Sequence, residues 1–259
     1  GPRSFTVCCP SHEEWKQYLI DMAKWMVRSY GAAGIYLDQL GSAEPFPCYQ
    51  PTHTHGDVGL FNRGYSDVLA ALYEQLREIR PDAFLMIENC GDIYGGYVWG
   101  SLTWNGEKYD EFFEMFKYTF PEYVQVHMVN PRAGLSGDAM REQLRKDMAR
   151  AMRLGAVLWL GLDKQHRLDA ESAAFVEQAV RLRRRIQPAV EDALFFDRDG
   201  IASLSPGAEA SVWRKIDGTG GMIVIADGGG SGRAAVELDD ELSAAVREAG
   251  RFMRLTLRN

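Results

Sequence analysis

Residues 34–38 read Gly-Ile-Tyr-Leu-Asp, and residues 84–88 read Phe-Leu-Met-Ile-Glu. Each is a short apolar run that closes on a carboxylate. Such runs are too brief for a helix, and unbroken rather than alternating hydrophobicity marks a strand covered on both faces. Between them, Val68, Leu69, Leu72, Leu76 and Ile79 line one side of a helix over about residues 65–80, which Pro81 stops. Strand, helix, strand is the rhythm of a parallel α/β fold. Folds of this kind carry their chemistry at strand C-terminal ends. Asp38 and Glu88 are therefore the first residues to weigh.

Working outward, residues 4–9 read as a strand stopped by Pro10, and Ser11 with Glu14 reads as a capping box. Trp15, Tyr18, Leu19, Met22, Trp25 and Met26 then recur at helical spacing, and Gly31 ends that helix. Residues 39–61 form a long loop rich in Gly, Pro and His. Further strands are expected near 101–104, 123–129 and 156–160. Helices are expected at 136–154, with Met140, Leu144, Met148 and Met152 on one side, and at 169–186, ending before Pro188. About six strand-like runs precede residue 162. The pattern predicts a (β/α)8 TIM-barrel-type fold with its C-terminal six βα units visible and its first units missing or supplied elsewhere. From residue 191 the texture changes to short runs at 194–196, 201–204, 211–215, 222–226 and 252–257, separated by Gly-rich turns, with one helical stretch at 239–249. This predicts a partial barrel over 1–190 followed by a small antiparallel, β-sandwich-like domain over 191–259.

Composition narrows the function classes. The chain has 259 residues, 46% of them apolar and 25% charged, which supports a buried core and argues against disorder. Twenty-nine basic against 36 acidic residues give a net charge of −7, unfavourable for a nucleic-acid backbone. The dense run Arg181, Arg183, Arg184 and Arg185 reads as a solvated helix face. No apolar run reaches the length of a membrane span. Four cysteines without a CxxC argue against a zinc ribbon or a disulfide scaffold. The start Gly1-Pro2-Arg3 reads as an edited or truncated end.

The chemistry-bearing residues form three groups. Asp38 and Glu88, on neighbouring strands, would face one mouth, and glycoside hydrolysis needs such a pair, one nucleophile and one proton donor. Against this stands a helix cap or a loop-bracing salt bridge. His53 and His55, two apart in the loop, could bind a metal in extended conformation, yet no third ligand has convincing spacing. They would otherwise hydrogen-bond a polar ligand or brace the loop. Tyr94, Tyr97, Trp99 and Trp104 cluster after Glu88 and could stack on sugar rings or simply pack in the core. Asp92 and Asp163, just past strands, could hydrogen-bond sugar hydroxyls. Cys48 and Cys90 lie in loops that could meet. No GxSxG, P-loop or GxGxxG is present.

CCPSHEEW at 8–15, YGAAGIYLDQLGSAEPFPCY at 30–49, HTHG at 53–56 and MIEN at 86–89 resemble a family of bacterial barrel proteins known mainly as a domain of unknown function. That family is similar to glycosidases of the α-galactosidase and endo-α-N-acetylgalactosaminidase type. The resemblance covers about residues 4–190. It implies an Asp nucleophile at the end of the fourth barrel strand and a Glu acid/base at the end of the fifth, places that Asp38 and Glu88 match. Residues 4–9 would then be strand three. The implied activity is retaining hydrolysis of an α-linked galactoside or N-acetylgalactosaminide-like sugar. His53, His55, Asp92, Tyr94, Trp104 and Asp163 would hold the carbohydrate. No cofactor and no metal are expected, and a second chain or segment would complete the barrel. The rival readings are a metal-dependent barrel hydrolase using His53 and His55, and a non-catalytic carbohydrate-binding protein.

Overall fold

Ile20, Ala23 and Val27, spaced three and four residues apart, form the buried stripe of helix α1 (Glu13–Tyr30). It opens a computed structural model that describes residues 7–40, 45–89, 91–104, 110–129, 131, 134–161, 168–226, 235–249 and 251–257. The chain divides into two compact units, Gly1–Leu102 and Thr103–Asn259, and each is described by itself.

In the first unit α1 is followed by β1 (Gly34–Leu37), α2 (Phe61–Ile79), β2 (Phe84–Glu88), a short 3-10 helix (Asp92–Tyr94) and the start of β3 (Gly100–Trp104). β1 pairs with β2 in parallel, Gly34 opposite Phe84 and Leu37 opposite Ile87. β2 pairs with β3 in parallel, Glu88 opposite Leu102. One core joins Val68, Leu69, Leu72 and Leu76 of α2 to Ile35, Leu85 and Ile87 of the strands and to the α1 stripe. Trp15, Leu19 and Met26 of the expected face pack half-buried against this core, and the fully buried line lies one position along. Tyr18 and Trp25 point outward, 64% and 52% exposed, because the small and branched side chains let α1 sit close to its neighbours. The capping box does not form. Ser11 turns its hydroxyl to the Leu60 carbonyl at 3.1 Å, and His12 takes the N-cap position without a side-chain bond. Gly64 explains that closeness, since a Cβ there would stand 2.7 Å from the Pro10 carbonyl carbon.

The expected strand at 4–9 is not seen where it can be judged. Val7–Cys9 have no regular structure, and residues 4–6 lie outside the described residues. Among the described residues five strands precede residue 162. They lie in the order β1-β2-β3-β4-β5, and no closed barrel is seen among the described residues.

The second unit holds α3 (Asp110–Thr119), β4 (Val124–Val129), α4 (Gly137–Arg153), β5 (Val157–Leu160), α5 (Ala170–Val190), β6 (Ala193–Phe195), β7 (Ile201–Leu204), β8 (Glu209–Lys215), β9 (Gly221–Ala226), β10 (Val236–Leu238), α6 (Asp240–Glu248) and β11 (Phe252–Leu257). Helix α3 has no counterpart in the periodicity reading. β4 and β5 are parallel, Val126 opposite Val157. Leu144, Met148 and Met152 form the buried side of α4 as their spacing predicts. α5 runs through Pro188 to Val190. Arg183 is not on a solvated face. It is buried and donates to the carbonyls of Ala156 at 2.7 Å and Gly155 at 2.8 Å.

The C-terminal strands correct the antiparallel expectation. β6, β8 and β9 are antiparallel, but β11 runs parallel to β9, Phe252 opposite Gly221. The reason is α6, which carries the chain back so that β11 enters in the direction of β9, as a crossover does. β7 and β10 form a separate antiparallel pair. Trp213 of β8 is buried and donates its indole N–H to the Arg153 carbonyl at 2.8 Å. The β-rich segment thus shares a core with the last βα elements of its own unit.

Candidate active site

The register of β1 and β2 positions the two carboxylates. Leu37 and Ile87 are opposite, so Asp38 and Glu88 are the next residue on each chain. Neighbouring strands lie about 4.8 Å apart. Asp38 is exposed in the turn that follows β1, whereas Glu88 is the last residue of β2 and only 5% exposed.

A tight backbone change follows each acid. Gln39 has φ 59° and Asn89 has φ 63°, both in the left-handed region that side chains other than glycine rarely occupy. At Gln39 the turn aims the backbone N–H at Glu88, and Glu88 Oε2 accepts from it at 2.6 Å. At Asn89 the N–H donates to the Leu102 carbonyl at 2.7 Å, holding β2 to β3 just past the acid.

Tyr36 completes this group. It lies two residues before Asp38, on the side of β1 that the pleat gives to both. Burial pushes its phenol well above the ordinary tyrosine value, and the charges of Glu88 and then Asp38 add to the effect. Both carboxylates are therefore within electrostatic reach of one hydroxyl. Period-two reasoning back from Asp38 could have found it.

The other expected sugar contacts divide. Tyr94 is not on an open surface. It is 5% exposed within the core of the first unit, and burial first, then Tyr65, pushes its phenol up to about 12. Asp92 is exposed and accepts from the Ile93 N–H at 2.8 Å. Trp99 stacks edgewise on Phe84 at 5.3 Å, at the strand end opposite the carboxylates. Trp104 is the last residue of β3. Asp163 and Cys90 lie outside the described residues.

The histidine loop is organised around sulfur. His55 Nε2 lies 3.3 Å from Cys9 Sγ, and His53 Nδ1 lies 3.1 Å from Cys48 Sγ. Cys9 and Cys48 are both free thiols. Burial raises the Cys9 thiol, opposed by the Ser11 backbone and reinforced by Cys48. Desolvation lowers His53, with His12 and His55 adding to it. A cleft of about 440 Å³ adjoins the group, walled in part by Val7, Phe46, Tyr49 and Phe61. The metal-hydrolase reading joins these histidines to a carboxylate, and the ligand group gathered around them holds two cysteines instead.

Residues 1–127 match a family described as a domain of unknown function, DUF6259. Both carboxylates, Tyr36 and the whole Cys/His loop fall inside that stretch. A protein of Monosiga brevicollis named "Putative glycoside hydrolase 22789" is 29% identical over 102 residues, which is 39% of this chain and 8% of that protein. Among solved structures, an α-galactosidase of Lactobacillus brevis is similar with a TM-score of 0.55 at 15% identity, over 83% of this chain and 30% of that one. The GH36 α-galactosidase AgaA of Geobacillus stearothermophilus, solved with raffinose, is similar with a TM-score of 0.53 at 16% identity, over 84% of this chain and 31% of that one. The chain thus resembles glycoside hydrolases in sequence and α-galactosidases in fold, and spans under a third of the length of each.

Proposed function

We propose that this chain carries the two catalytic carboxylates of a retaining glycosidase that acts on α-linked galactose- or N-acetylgalactosamine-like sugars. The observation that carries the proposal is the pairing of Leu37 with Ile87, which sets Asp38 beside Glu88 at the C-terminal ends of adjacent parallel strands. Retention needs carboxyl groups about 5 Å apart, and adjacent strands supply a spacing of that order.

In this reading Asp38 Oδ attacks the anomeric carbon and the glycosidic C–O bond breaks. The Glu88 carboxyl proton passes to the departing oxygen. Glu88, now a carboxylate, takes a proton from water, whose oxygen attacks the same carbon and releases Asp38. Exposure suits Asp38 to reach substrate, and the Gln39 N–H holds Glu88 against the end of β1. The Tyr36 hydroxyl, buried and facing the charges of Glu88 and then Asp38, stays protonated beside the pair. Asp92, Trp104 and Asp163 are assigned to the sugar, and Tyr94 to the packing beneath them. His53 and His55 are assigned to the loop wall, because their ring nitrogens face thiols. Among the described residues β1 stands at the sheet edge, and its far side is assigned to another segment or chain, since unpaired strand edges seek partners. The division into a barrel-type part to residue 190 and a β part from 191 belongs to this proposal too.

The test is to trap the intermediate. An activated 2-deoxy-2-fluoro-α-galactoside should add one sugar mass to the protein, and peptide mapping should find it on Asp38. Labelling of any other residue would remove Asp38 from the nucleophile's role.

A further inference from the structure

We infer that Cys9, Cys48, His53 and His55 form a four-ligand zinc site that staples the segment before α1 to the loop before α2. One ligand atom from each of the four lies within 4.8 Å of every other. Zinc bonds of about 2.3 Å to sulfur and 2.0 Å to nitrogen, set tetrahedrally, give a sulfur–nitrogen edge of about 3.5 Å. The two sulfur–nitrogen distances, 3.3 Å and 3.1 Å, are close to that edge. The remaining pairs lie within 4.8 Å, so small side-chain adjustments would admit the ion.

The surroundings are built for this set. His55 Nδ1 lies 3.0 Å from the Asp57 carbonyl, to which it donates, leaving the Nε2 lone pair on the Cys9 side. That outer hydrogen bond is the usual device for orienting a ligating imidazole. The loop is closed before any ligand arrives, since the Cys48 N–H donates to the Val58 carbonyl at 3.0 Å and the His53 N–H to the Gln50 carbonyl at 3.2 Å. On the other side, the Ser11 hydroxyl bond to Leu60 and the close passage of Gly64 by Pro10 hold Cys9 in place.

The chemistry of the donors selects the ion. Two thiolates and two neutral imidazoles suit zinc over magnesium or calcium, which prefer oxygen. Binding replaces two thiol protons by one Zn²⁺, so the site ends neutral and releases two protons. Four protein ligands leave no open position, which is the pattern of a structural site. Its role is distinct from the carboxylate pair, and it stands whether or not that pair proves catalytic.

The experiment uses the reduced, metal-free full chain titrated with Co²⁺ and then Zn²⁺. One Co²⁺ per chain should bind with thiolate-to-metal charge-transfer absorption and the visible bands of a tetrahedral ion, and Zn²⁺ should displace it. About two protons should leave per zinc, and the melting temperature should rise with zinc concentration. Cys9→Ser, Cys48→Ser and His55→Ala should each weaken zinc affinity at least tenfold. Cys8→Ser should leave it unchanged, since Cys8 is next in sequence but outside the cluster. If a variant fails to fold, the wild-type cobalt spectrum decides alone. No uptake by the reduced chain, an octahedral spectrum, or wild-type zinc affinity in Cys9→Ser and Cys48→Ser would overturn the inference. So would a Cys9–Cys48 disulfide that, once reduced, takes up no metal.

Discussion

The backbone N–H of Gln39 and the carboxylate of Glu88 are joined by a 2.6 Å hydrogen bond that ties the end of β1 to the end of β2. Gln39 itself is in the left-handed region, with φ 59°, so the chain turns away immediately after the donor. The consequence is that main chain helps to hold a buried acid on one strand against an exposed acid on the next.

Substitutions at Gln39 should separate its two contributions. Gln39→Gly keeps the N–H and relieves the left-handed conformation, so stability should be unchanged or raised by up to about 1 kcal/mol. Gln39→Pro removes the donor and cannot reach positive φ, and should cost about 1–3 kcal/mol or more. Urea unfolding of the two variants checks this, and equal stabilities would show that the bond contributes nothing.

The buried phenols should reveal themselves in alkali. Tyr36 and Tyr94 are both raised above the ordinary tyrosine value, Tyr94 to about 12. A raised acid favours the protonated form in the folded state. Its stability contribution is thus constant below about pH 10, the unfolded value, and is lost as pH climbs toward the folded one. Absorbance titration should show surface tyrosines ionising first and a later fraction ionising together with unfolding. Tyr36→Phe and Tyr94→Phe should each shrink the late fraction by about one phenol.

In the second unit, Gly155 and Trp213 form a testable contact. Gly155 has φ 62°, and a Cβ there would stand 2.7 Å from the Trp213 ring. Gly155→Ala should therefore destabilise by about 1–3 kcal/mol through both backbone strain and overpacking. Trp213→Ala should cost about 3–5 kcal/mol. Thermal melts of each variant measure the effect, and a Gly155→Ala protein as stable as the parent would contradict the packing described.

What could be read from sequence was whatever rests on local pattern. Gly34–Leu37 and Phe84–Glu88 are strands because short unbroken apolar runs have few other stable fates in a globular core. α2 was equally legible from its heptad-like spacing. Residues 4–9 misled because an apolar run before Pro10 looks like a strand, while Val7–Cys9 have no regular structure and Cys9 meets His55, 46 residues away. β10, with three residues, is too short to carry a pattern. The direction of β11 depends on a crossover, which no local signal encodes. The site followed the same rule. Asp38 and Glu88 stand where strands end, but Tyr36 needed the pleat, Gln39 needed its φ, and Cys9 lies 46 residues from its partner His55.

The central claim is that Asp38 and Glu88 do different chemistry at one sugar, and azide rescue tests it most directly. Measured on the full natural protein with an aryl α-galactoside and an aryl α-N-acetylgalactosaminide, Asp38→Asn should nearly abolish hydrolysis, because the covalent step loses its nucleophile. Glu88→Ala should still form the glycosyl-enzyme, since an aryl group leaves with little protonation, but should stall without a base. Added azide, which needs no base, should then restore turnover in Glu88→Ala alone and yield the α-glycosyl azide. Folded Asp38→Asn and Glu88→Ala proteins that both keep the parent's turnover, or a folded parent that binds these sugars without hydrolysing them, would contradict the account.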